Sequence, residues 1–156
     1  MTAQWRHLPA PARPIAAATA AAVRAAHEHD RAALLEAVAE LGAQDQVQAG
    51  LILGTAVRLL LESAHPDGLD AGDVRTVLEQ CVRSAVPWCP EVDPQVVLYL
   101  LAGALGVWED DGSPAPKPDT LGLHAALLLA HLGGGRAMTE VMAETLAEIQ
   151  RAQLND

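Results

Sequence analysis

Val47-Gln48-Ala49-Gly50-Leu51-Ile52-Leu53-Gly54-Thr55-Ala56-Val57-Arg58-Leu59-Leu60-Leu61 carries one charge along a helix-length run. Two more stretches of the same kind follow, Val96–Trp108 and Leu121–Leu132. A helix that lacks a polar face must be covered by other elements. The remaining segments alternate as ordinary amphipathic helices. Val74, Val77, Leu78, Cys81 and Ala85 make one stripe, with Asp73, Arg75, Glu79, Gln80 and Arg83 facing away. The expected fold is therefore all-α: a single-domain helical bundle, or a stack of antiparallel helical hairpins, with six or seven helices.

Composition supports this reading. The chain has 156 residues, enough for one domain with a real core. Alanine makes up about a fifth of it and phenylalanine is absent. Ala and Leu favour helix, whereas sheets draw on β-branched and aromatic residues.

Punctuation divides the chain. Pro9, Pro11 and Pro14 predict an extended, proline-rich segment over 1–13, followed by one helical domain over 14–156. Asp30, Asp45, Asp70, Asp93 and Asp119 each precede an apolar run and read as N-caps. The first two helices either break at His27-Glu28-His29 or run through as one. Gly133-Gly134-Gly135 reads as a helix stop. The strip Ala102, Gly103 and Gly106 reads as a place of close helix packing. The order apolar helix, Pro/Gly loop, Asp cap, second helix occurs at 45–85 and again at 93–132, which suggests a helical-hairpin repeat.

Net charge is −10, which opposes nucleic-acid binding and docking on anionic membranes. The N-terminal stretch lacks the apolar core of a signal peptide. The uncharged apolar runs fall short of the ~18 residues that span a bilayer. A cytoplasmic location is expected. Nine of the ten basic residues are Arg, a bias of high-GC bacterial coding.

Catalytic motifs are lacking. Cys89 sits in Trp88-Cys89-Pro90, but Val92 occupies the place a dithiol pair needs for its second Cys. Ser63, Ser84 and Ser113 lie in no nucleophile elbow. The six histidines show no metal-ligand spacing. No catalytic residue, cofactor or metal is expected. The leading expectation is a non-catalytic interaction or adaptor module with a protein partner, a second copy of itself included. The expected homodimer contact lies within the fourth to sixth helices. Contact residues would be Trp88, Trp108 and the acidic row Glu140, Glu144 and Glu148. The alternative is a small-molecule sensor or enzyme with a pocket between apolar helices. Its polar groups would be Tyr99, His124 and His131, with Trp88 also at hand.

Overall fold

The structure is a computed structural model that describes residues 5, 8–107 and 112–155. Those residues form seven α-helices and no strand: α1 Arg13–His27, α2 Arg31–Gly42, α3 Gln46–Ala64, α4 Ala71–Ala85, α5 Pro94–Ala104, α6 Pro118–Gly133 and α7 Met138–Leu154. The bundle form of the expectation holds.

Helix α6 is the hub, and sequence explains why. Its run from Gly122 to Leu129 is buried throughout, leaving no face for water. It touches α1, α2, α3, α4 and α5. Burial of each large aliphatic side chain there, such as Leu128 or Leu129, contributes about 1.5–3 kcal/mol. A Cβ built on Gly122 would stand 3.4 Å from Val38 Cγ1, so this glycine allows α2 and α6 to approach closely. Around the hub, α1 packs mainly on α2, while α3 packs on α7 and α5.

Four of the five aspartate caps form as the sequence indicates. Asp30 accepts from the Ala33 N–H, Asp45 from Val47 and Gln48, and Asp93 from Gln95. Asp70 and Asp73 make a reciprocal capping box. The fifth differs. Helix α6 begins two residues earlier, with Lys117 at the N-cap and Pro118 at N1, so Asp119 lies inside the first turn. Proline suits N1 because that N–H has no helical partner.

Other expectations need correction. Residues 1–13 are not extended throughout: Ala10–Ala12 form a 3-10 turn leading into α1, and Trp5 and Leu8 are buried in the core. The break between α1 and α2 is real. His29 takes a left-handed φ of 54°, with its N–H bonded to the Ala26 carbonyl and the Asp30 N–H bonded to Ala25. These two bonds close the end of α1 in the way a C-terminal glycine usually does. Helix α5 stops at Ala104 rather than reaching Trp108. Gly106 sits at φ 73°, with its N–H on the Gly103 carbonyl and the Val107 N–H on Ala102. A Cβ on Gly103 or Gly106 would meet nothing within 4 Å, so neither marks close helix packing, and Gly106 ends the helix instead. The repeat does not survive either. Helices α5 and α6 pack together, whereas α4 leans on α5 and α6 rather than on α3.

By length and composition, α3 is the one helix among the described residues apolar enough to cross a membrane, although Arg58 and Glu62 interrupt its uncharged run. Seven of its residues, from Ala49 to Leu61, are buried in the bundle core.

Candidate functional site

Helix ends build the most chemically varied cleft. The C-terminal parts of α1, α4 and α6 enclose about 250 Å³, lined by His27, His29, Cys81, Ser84, Trp88 and His131 among others. His131 lies in the last turn of α6 and His27 in that of α1. Helix C-termini carry partial negative charge that favours an imidazolium. Burial works against this at His131 and lowers its pKa from the usual value. His29 stacks on Trp88, with ring centroids 5.1 Å apart and planes at 8°. Cys81 forms part of the wall, and burial pushes its thiol up to about 12. It is therefore not a thiolate at neutral pH. Cys89, on the adjoining loop, is fully buried, and burial together with the Glu91 carboxylate raises its pKa as well.

The structure thus brings two expected groups together, Trp88 and His131. It separates the others. His124 opens onto a different cleft of about 330 Å³, lined by Leu35, Val38, Ala39, Glu91, Asp119, Thr120 and Leu123. Its ring is held at both nitrogens: Nδ1 lies 2.7 Å from the Thr120 carbonyl, and Nε2 accepts the Asp93 N–H at 2.9 Å. A backbone N–H can only donate, so Nε2 is unprotonated and Nδ1 carries the hydrogen. Tyr99 is half-buried on α5 and lines neither cleft. Trp108 lies outside the described residues.

The acidic row is neutralised from within. Arg136 bridges Glu140 and Glu144, each at 2.8 Å. Glu148 pairs with Arg58 at 2.9 Å and also with Arg151. The Arg58 contact ties α3 to α7. A stripe that reads as unbalanced negative charge along α7 is a chain of ion pairs.

Sequence reasoning placed the contact in the fourth to sixth helices, which takes in α5, and missed the outer surface of α3. Helix α5 has no charged residue, yet only Val96, Val97 and Leu101 are buried. Seven large apolar side chains are exposed among the described residues, and four of them lie on α3, on α5 or just past its end. They are Val47 at 79% exposure, Leu51 at 41%, Leu98 at 38% and Val107 at 65%. Gly50 and Gly54 lie one turn apart on α3, and a Cβ on either would meet open space. The signal was present as hydropathy. What was lacking was which side of each helix the bundle leaves uncovered.

Among the described residues, no group of three His, Cys, Asp or Glu is placed to hold a metal ion. No known protein family matches the chain, and neither does any curated protein or solved structure.

Proposed function

We propose that this chain is a non-catalytic interaction module that pairs with a second copy of itself through the exposed apolar surface of α3 and α5. One observation carries the reading: the exposed apolar side chains of α3 and α5 lie in charge-free stretches. No charged residue occurs from Gln46 to Val57 or from Pro94 to Val107, in a chain with twenty acidic and ten basic residues. Two copies that each bear a net charge of −10 repel wherever carboxylates face one another. They approach at least cost through a surface without charge. A two-fold pair presents the same patch on both partners, which suits a self-complementary apolar face. Gly50 and Gly54 leave room for backbones to come close there. This surface shifts the expected contact from the fourth-to-sixth helix region toward α3. It leaves the paired carboxylates Glu140, Glu144 and Glu148 outside the contact.

Sedimentation velocity at micromolar concentration tests the proposal. The native chain is expected to run as a dimer. Leu51→Arg is expected to run as a monomer with unchanged helical circular dichroism, because Leu51 is 41% exposed and its replacement leaves the core intact. A monomeric native chain refutes the reading.

A second reading, a small-molecule sensor, is favoured by the convergence of Trp88 and His131 on one cleft with His27 and His29. Its volume of about 250 Å³ lies below the ~300–1,000 Å³ usual for ligand pockets. Native mass spectrometry of the purified protein decides between the two. A bound small molecule lost on His131→Leu substitution supports the sensor, and a bare dimer supports the interaction module.

A further inference from the structure

The α4–α5 loop, Val86–Asp93, is fastened to the bundle at four points. Trp88 stacks on His29 at the α1–α2 corner. Glu91 receives both arms of Arg31 at the start of α2, with Arg31 Nε 3.0 Å from Oε1. Cys89, in the loop itself, is fully buried in the core. At the far end, the Asp93 N–H reaches 2.9 Å to His124 Nε2.

We propose that this loop is an acid-released clasp: protonation of His124 frees Val86–Asp93 from the bundle while the helices stay packed. The geometry makes His124 the trigger. A proton on Nε2 turns the acceptor into a donor, and that donor faces the Asp93 N–H. Two donors then meet where one bond was, inside a site closed to most water. The charged groups around the ring come from two elements. Glu91 and Asp93 belong to the loop, and Asp119 to α6 itself. Helix α2 presents only Leu35, Val38 and Ala39. Of the carboxylates, Glu91 is already held by Arg31, and Asp93 caps α5 through the Gln95 N–H at 2.9 Å. A cationic ring attracts the Asp93 carboxylate and so competes with its cap on the Gln95 N–H. Burial holds His124 below the usual imidazole value, opposed by its bond to Thr120 and by the Asp93 charge. Release therefore belongs to mildly acidic conditions rather than to neutrality. His29 does not drive it, since a protonated imidazole over an indole face remains attracted.

The chain's two cysteines report the event separately. Cys89 is buried within the loop itself, and Cys81 on α4 is buried at the wall of the cleft that Trp88 also lines. The experiment is modification by 4,4′-dithiodipyridine, which reacts in acid, with peptide mapping to assign each thiol. Cys89 is expected to react about tenfold faster at about pH 5 than at about pH 7.5, with Cys81 unmodified and helical circular dichroism unchanged. His124→Gln keeps an acceptor for the Asp93 N–H without a titrating ring, and is expected to abolish the rise. Modification of both cysteines with loss of helical circular dichroism, indicating global opening, overturns the proposal. So does a flat Cys89 rate, or a rise that persists in the glutamine variant. If that variant does not fold, the ratio of Cys89 to Cys81 modification in the native chain decides alone.

Discussion

Replacing Gly50 and Gly54 together by alanine separates the stability of one copy from the strength of the pair. Both glycines lie inside α3, where alanine is better by about 0.8–1.0 kcal/mol at each position. Neither new Cβ meets an atom within 4 Å, so no clash offsets the gain. The sum is about 2 kcal/mol in favour of the folded protomer, or about 4–8 °C in Tm for a chain of this size. The assay is thermal unfolding by circular dichroism across a dilution series. At the lowest concentrations the double variant is expected to melt above the native chain by the full amount. At higher concentrations the native chain gains from pairing, and the variant gains less because its new methyl groups hold the two α3 backbones apart. The advantage therefore shrinks as concentration rises. A variant less stable at every concentration refutes the open-face geometry. A constant advantage at all concentrations refutes the involvement of this face in pairing.

Three further outcomes follow from the same structure. Trp5→Ala removes a ring only 2% exposed and is expected to cost about 3–5 kcal/mol in urea unfolding, marking the segment before α1 as part of the core. His29→Gly relieves a left-handed residue while losing the Trp88 stack, so its ΔΔG is expected near zero. His29→Ala keeps the strain, loses the stack and is expected to cost about 1–2 kcal/mol. Stability against urea is expected to fall as pH falls, through the buried imidazole of His124 and the half-buried one of His131. His124 and His131 both have folded pKa values below the unfolded one. Between those values the unfolded chain binds more protons, so stability is intact above about pH 6.5 and is lost as pH falls toward the folded values. His131→Leu is expected to reduce that slope, and an unchanged slope counts against its burial as the cause.

Local chemistry was legible wherever it depends on neighbours in sequence. Asp30, Asp45, Asp70 and Asp93 act through N–H groups two or three residues away, and all four cap as read. Asp119 failed because Pro118 offered a competing start two residues earlier, and a proline at N1 needs no side-chain cap to begin a helix. His29 hid its role for a related reason. Its left-handed φ closes α1, a task usually signalled by glycine, and its stacking partner Trp88 lies far along the chain. The seven-residue spacing of His124 and His131 puts them on one side of α6, but α2 covers one end of that side and α1 with α4 the other, so they face separate clefts. Spacing on one helix sets direction, and only the packing of other helices sets what lies in that direction.

The three apolar stretches that fix the fold as helical turn out to be three different things. Leu121–Leu132 is a true hub, buried on nearly every side. Val47–Leu61 is half covered, and Val96–Trp108 is shorter as a helix and covered least. Hydropathy ranks α5 highest of the three, although it buries the fewest residues. A monomer selected only for solubility would carry charge on that outward face, as α4 does with Asp73, Arg75, Glu79 and Arg83. Charge is also absent from Thr120–Gly135, but there burial accounts for it; on α5 and the first two-thirds of α3 the charge-free run includes exposed side chains. Exposed apolar surface exacts a cost in water of about 25 cal/mol per Å², which contact with a second copy removes. The same charge gap that makes these helices poor surface for one copy makes them the surface where two strongly acidic copies can meet.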